Sequence, residues 1–273
     1  MMAEATLNGN VQGWFIPYRH AAEVVTPAPA PVVAYPAIAD LFHAARADCL
    51  SLLQVISDHR EDLLAISATD DTARPRWLQD WFGGLDAAAA YCMVRHHRPA
   101  RIVEVGSGHS TRFMKRAADD GGFPIDMLAI DPAPRADIRD LGIRIRQTVV
   151  QAAPTDSFDG LVAGDLLAID SSHIMMPGSD VDHLLNNVIP ALPAGVLVHI
   201  HDIFLPGGYP QSWDLRGYNE QNGVAPLLSG GRLRILFGSR YCLDHMADDV
   251  ARLAGFIPRP VPVLESSLWA ITV

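Results

Sequence analysis

Beyond Pro99 the chain alternates short β-branched runs with helical stretches, and this alternation narrows its fold more than any other feature. Residues 101–105 read as a strand; Gly106 and Gly108 follow, then a helical stretch at 110–119 that Gly121-Gly122 stops. Residues 127–131, 143–150, 166–170 and 195–201 read as further strands, with a helix near 180–187 before the last of them. The chain closes with a strand at 232–237, a helix at 244–253 and a strand at 268–273. Strands separated by helices imply an α/β fold built on a parallel sheet with right-handed crossovers. The near-consecutive closing strands leave room for an antiparallel edge.

The first third reads differently. A Pro/Ala-rich stretch at 26–36 suggests an extended arm over 1–37. From 38 to 66, apolar residues at Leu41, Phe42, Ala45, Cys49, Leu52, Leu53, Ile56 and Leu63 recur at helical spacing. Gly83-Gly84 then punctuates the chain before a second helix at 86–97. The expected division is an arm (1–37), a helical extension (38–98) and the α/β domain (99–273).

Charge and cysteine content restrict the partners. Against 31 Asp+Glu stand 21 Lys+Arg, a net charge of −10, and Lys115 is the sole lysine. Phosphate neutralisation needs clustered cations, so no nucleic-acid partner is expected. Cys49, Cys92 and Cys242 are far apart and show no zinc or disulfide spacing. The first residues carry neither a basic nor an apolar signal segment, and no apolar stretch is long enough to span a bilayer. A soluble cytoplasmic protein is expected, without a membrane partner and with homo-oligomerisation left open.

The glycine turn invites a ligand. Gly106 and Gly108 sit between a strand and a helix, where backbone can approach a ligand closely and the helix N-terminus can meet an anion. The third glycine of a dinucleotide fingerprint is replaced by Thr111, which disfavours NAD or FAD. No GK[ST] follows, which excludes a P-loop. Glu104 precedes the turn, and Asp131, ending the second strand, is placed to accept both hydroxyls of a ribose. Gly108-His-Ser-Thr-Arg112 begins like a nucleophile elbow, but Arg112 stands where the elbow needs glycine, so a hydrolase is a poor reading.

A second constellation lies at the ends of the fourth and fifth strands. Asp170 ends one, with His173 three residues on; His201 and Asp202 end the other. Ligands of open α/β sheets bind outside the carboxyl ends of strands, and neighbouring strands lie about 4.8 Å apart. Asp170, His201 and Asp202 can therefore converge, as a divalent-metal site or an acid–base cluster. His199 shares a strand face with His201 but lies deeper, as a core histidine would. A loop over 205–222 follows, rich in Tyr209, Trp213, Arg216, Tyr218 and Glu220. It can be an acceptor pocket or lid, or a surface excursion packed on its own aromatics.

These motifs together resemble the class I S-adenosylmethionine (SAM) methyltransferases, in a bacterial small-molecule branch. The resemblance rests on E-x-G-x-G at Glu104–Gly108, AIDPAPR ending strand two, IDSSH at 169–173, GSDV at 178–181 and HIHDIF at 199–204, and it covers about residues 80–273. It implies a Rossmann-like doubly wound, mostly parallel seven-stranded sheet with an antiparallel last strand, here with the N-terminal helical extension. It implies SAM as cofactor, bound by Glu104, Gly106, Ser107, Gly108, Thr111 and Asp131. The implied activity is methyl transfer to a small-molecule acceptor, with oxygen favoured over nitrogen or carbon. Catechol-type relatives hold Mg²⁺ through an Asp after strand four and an Asp-Asn pair after strand five, so Asp170, His201 and Asp202 are the metal candidates here. His201 departs from that pattern and opens the site to Mn or Fe as well as Mg. The catalytic candidates are Asp170, His173, His201 and Asp202, with either histidine as general base if no metal takes part. Two alternatives stay open: a SAM enzyme performing a non-methyl reaction such as cyclisation, and a non-catalytic nucleoside-binding module.

Overall fold

Strands β1 (Arg101–Val105), β2 (Asp126–Ile130), β3 (Arg144–Arg146), β4 (Leu166–Ile169), β5 (Leu197–Ile200), β6 (Leu233–Gly238) and β7 (Leu268–Thr272) make one sheet in the order β3-β2-β1-β4-β5-β7-β6. The structure is a computed structural model describing residues 8–9, 13, 16, 19, 35–69, 74–134, 136–154, 156–259 and 264–273. The chain divides into Met1–Val33 and Ala34–Val273, and the sheet with all its helices lies in the second unit. Strands β1 to β5 run parallel, and β7 pairs antiparallel with both β5 and β6. This is the Rossmann-like sheet with an antiparallel last strand that the motifs imply. Every residue of β4 and β5 is buried, as strands covered by helices on both faces must be.

Among the described residues, nine helices position the site or pack on one another. They are α1 (Pro36–Ala44), α2 (Arg46–Asp58), α3 (Arg60–Leu64), α4 (Gly84–His97), α5 (His109–Gly121), α6 (Asp180–His183), α7 (Glu220–Ser229), α8 (Ser239–His245) and α9 (Ala247–Ala254). Most of the arm expected over 1–37 lies outside the described residues, but Pro36 opens α1, where its fixed φ and missing N–H suit a first helical turn. The single helical stretch expected over 38–66 is three segments, interrupted at Ala45 and His59. Helix α1 packs on α7 and β6, and α2 packs on β6, α4 and α9. Helix α4 has Ala87, Ala88, Ala89 and Ala90 at 0–1% exposure and lies against α5. These small side chains let it pack close to its neighbours.

Other sequence expectations shift in detail. The third strand is only three residues, and a 3-10 turn takes Val150–Ala152. The helix expected over 244–253 is two, parted at Met246, whose φ of −133° leaves helical space. Helix α7 has Pro226 inside it, a residue that argues against a helix in sequence. Cys49, Cys92 and Cys242 are buried free thiols. Among the described residues no helix is long and apolar enough to cross a membrane.

Leu53 on α2 is fully buried in the core shared with the sheet. Leu53→Ala should cost about 2–5 kcal/mol, read as a lower urea midpoint of one transition with unchanged slope. A second transition splitting off would show that the N-terminal helices unfold apart from the sheet.

Candidate functional site

The strand order reverses between β1 and β4, so a crevice opens above their carboxyl ends. The turn after β1 is built around Gly106, whose φ of +76° suits glycine and where a Cβ would run into the backbone carbonyl of Asp170. The glycine turn and the end of β4 thus share a single contact surface. Asp131 takes hydrogen bonds on Oδ2 from the Ser107 amide (2.6 Å) and hydroxyl (3.1 Å), and on Oδ1 from the Ala133 amide (2.7 Å). Thr111, in the place of a third glycine, accepts from the Gly108 amide at 2.9 Å and donates to Glu104 at 2.5 Å. Ser110 donates to the other Glu104 oxygen at 2.6 Å. Burial pushes the Glu104 carboxyl up to about 8, against the pull of those two hydroxyls.

The second cluster forms at the ends of β4 and β5, and it includes His173. The Asp170 amide bonds to Val105 and the His201 amide to Ile169, so the sheet ladder continues into the site. His173 Nε2 lies 3.3 Å from Asp170 Oδ1 and 3.3 Å from Asp202 Oδ2. His201 Nδ1 lies 3.5 Å from Asp170 Oδ1 and 3.7 Å from Asp202 Oδ1. Ligand-type atoms of Asp170, His173 and Asp202 all lie within 4.8 Å of one another, the spacing of a metal site. His173 and Asp202 are both left-handed, at φ +61° and +57°, a conformation that costs roughly 1–2 kcal/mol in a non-glycine residue and that aims both side chains here.

Each imidazole is held from behind by a buried carboxylate that sequence reasoning missed. Glu220, at the start of α7, accepts from His173 Nδ1 at 2.8 Å and from Ser171 Oγ at 3.0 Å. Asp86, in the first turn of α4, accepts from His201 Nε2 at 3.3 Å and from the Ser266 and Ser267 amides at 2.9 Å each. A carboxylate only accepts, so Nδ1 of His173 and Nε2 of His201 carry protons, and the opposite nitrogens face Asp170 and Asp202. Burial alone would raise the Asp170 pKa, but His201 and His173 overcome it and hold the carboxyl well below its usual range. Burial alone would lower both imidazoles, but Asp170 with Glu220 raises His173, and Asp202 with Asp170 raises His201, each well above its ordinary value.

His199 is the core histidine its depth suggests, bonded to Ser267 Oγ at 2.9 Å and with its ring 4.5 Å from that of Trp269, tilted by 31°. The 205–222 loop is both a packed excursion and a pocket wall. A 3-10 turn, Gln211–Arg216, carries Trp213 to within 5.1 Å of the Phe204 ring and 5.6 Å of Tyr218, centroid to centroid. Between this loop and the carboxylate–imidazole cluster lies a cavity of about 630 Å³.

Residues 103–203 match the family model described as a methyltransferase domain. The match runs from β1 to just past β5, within a mostly parallel sheet whose antiparallel last strand is the one expected of a class I SAM-dependent methyltransferase. No curated protein matches the chain. Among solved structures it is similar to an SAH-bound methyltransferase of Podospora anserina (14% identity, TM-score 0.44, 96% of this chain and 99% of that one). It is also similar to an O-methyltransferase of Bacillus cereus in complex with SAH (10%, 0.42, 93% and 96%). A third is the plantazolicin methyltransferase BpumL in complex with SAH (13%, 0.40, 67% and 82%).

The histidines make stability pH-dependent with opposite signs. Burial and neighbouring His201 push His199 down to about 3, and burial with Arg112 pushes His109 to about 4. An unfolded histidine titrates near 6.5, so stability from these two is full above that value and drains as pH falls toward the folded ones. His173 and His201, raised when folded, contribute stability below about 6.5 that is lost as pH climbs through their folded values. His199→Gln should therefore flatten the loss of urea midpoint between pH 7 and 4.5 relative to the parent. An unchanged slope would mean that His199 is not the neutral buried group.

Proposed function

We propose that the chain transfers the methyl group of SAM to a hydroxyl oxygen of a small molecule seated in this cavity, with a divalent transition ion held by Asp170, His173, His201 and Asp202. The observation that carries this reading is the paired arrangement of imidazoles: each has its rear nitrogen on a buried carboxylate and its front nitrogen 3.3–3.7 Å from Asp170 and Asp202. Carboxylate-backed histidine beside carboxylate oxygens is how proteins orient metal ligands, and a two-nitrogen, two-carboxylate set favours Mn or Fe over Mg. When bound, such an ion would lower the pKa of the acceptor hydroxyl and fix its orientation. His173 and His201 serve poorly as general bases, because their raised pKa values keep them protonated at neutral pH when no ion is present.

On the donor side, the glycine turn would seat the methionine portion of SAM, and Asp131 would take the ribose hydroxyls. Methyl transfer is a displacement: the acceptor oxygen attacks the methyl carbon, the carbon–sulfur bond breaks to leave the neutral thioether of SAH, and the hydroxyl proton passes to water in the solvent-open cavity. Alignment is the main task of the protein. The shared surface of Gly106 and Asp170 supports this, since it brings the donor turn and acceptor cluster into contact.

Asp131→Ala should weaken SAM and SAH binding by about 2 kcal/mol in calorimetry. Unchanged affinity in a folded variant would remove Asp131 from the ribose. For the acceptor side, EDTA-stripped protein titrated with Mn²⁺, Fe²⁺ and Mg²⁺ should regain turnover with one ion. Asp170→Ala, His173→Ala and Asp202→Ala should each lose that ion, with turnover falling further than SAM affinity. Full activity in rigorously metal-free protein would refute the metal.

A further inference from the structure

The cavity lining is uneven in charge. It holds three aspartates, Asp80, Asp170 and Asp202, but among the described residues Arg216 is its one Lys or Arg. Across the chain, arginines commonly meet a carboxylate, as Arg144 does Asp126 and Arg240 does Asp244. Arg216 makes no such pair among the described residues. Its guanidinium instead lies 4.0 Å above the Trp213 ring and 5.5 Å from the Tyr218 ring. Stacking keeps the planar fork in place while leaving its N–H edge available, the state in which arginine is ready to receive a carboxylate or phosphate. On its other side the Tyr218 ring lies 4.6 Å from the His173 imidazole, so a single tyrosine separates Arg216 from the carboxylate–imidazole cluster. Trp81, 54% exposed, lines the same cavity and adds flat apolar surface that water covers poorly.

We propose that the acceptor is a planar anion, an aromatic or conjugated hydroxy acid about one ring across, whose ring lies along Trp213 and Tyr218 and whose acidic group pairs with Arg216. This rests on the reading of the cavity as the acceptor site. The Tyr218 ring lies 5.5 Å from the Arg216 guanidinium and 4.6 Å from the His173 imidazole, so an acid on Arg216 and a hydroxyl at the cluster would stand about one ring apart. A neutral acceptor of the same shape would leave the guanidinium without a partner.

The test uses the full chain saturated with SAH and three one-ring probes: 3,4-dihydroxybenzoate, its amide, and the non-planar cyclohexanecarboxylate. Binding is followed by tryptophan fluorescence, which reports occupancy whether or not turnover occurs. The benzoate should bind at least about tenfold more tightly than the amide, as a charge-assisted pair allows. Cyclohexanecarboxylate should bind more weakly than the benzoate. Arg216→Gln should erase the preference for acid over amide, and Arg216→Lys should restore part of it. Equal binding of acid and amide, a preference that survives Arg216→Gln, or no binding of any probe at millimolar concentration would each overturn the proposal. SAH formation with the same molecules is scored separately: methylation of acid and amide alike would defeat the anion claim while methyl transfer in this cavity stood.

Discussion

The site depends on a carboxylate that never reaches it. Asp86 is fully buried in the first turn of α4 and ties three elements together: the helix it sits on, the entry to β7 through two amides, and His201 at the end of β5. Burying a charge is costly unless it is paired and hydrogen-bonded, and here each oxygen accepts from backbone while one also meets an imidazole. The consequence is positional. His201 is fixed in one orientation with its other nitrogen toward Asp170 and Asp202, and Ser266, whose amide Asp86 holds, donates its hydroxyl to Asp202 at 3.0 Å. Glu220 performs the parallel task for His173 from the other side of the cavity.

The difference between the two holders is mechanical. Asp86 sits fully buried, on a helix packed against α5 and α2, so His201 is anchored to the packed core. Glu220 follows directly on the aromatic loop, and the Asn219 and Glu220 amides both bond to the His173 carbonyl while Asn219 Oδ1 accepts from the Met175 amide at 2.6 Å. His173 is thereby clamped to the end of the loop that walls the cavity. A rearrangement of that loop would reach His173 directly, through these bonds.

The parts of the fold legible in sequence are those written in local pattern. The β-branched runs gave every strand of the sheet within a few residues, except that only the first half of the stretch at 143–150 is strand. The glycine turn was legible because Gly106 needs a backbone conformation other residues avoid, and Asp170, His201 and Asp202 because strand ends point to the crevice. What stayed hidden depends on contacts distant in sequence. Asp86 and His201 are 115 residues apart, and Asp86 lies in an alanine-rich helix that reads as scaffold. Glu220 is 47 residues from His173 and opens a helix that Pro226 disguises as loop. Neither pairing leaves a periodic trace, so only the folded chain reveals it.

The glycine turn and the carboxylate–imidazole cluster share a partition one peptide thick, where a Cβ on Gly106 would run into the Asp170 carbonyl. That partition cannot be remodelled without disturbing both sides, whereas the aromatic loop contributes most of the far wall and no strand of the sheet. Change is therefore channelled: substitutions in the segment between β5 and α7 alter the cavity wall without touching a strand, whereas any side chain at Gly106 would push on the end of β4. A laboratory library confined to that segment would explore chemistry on a constant chassis.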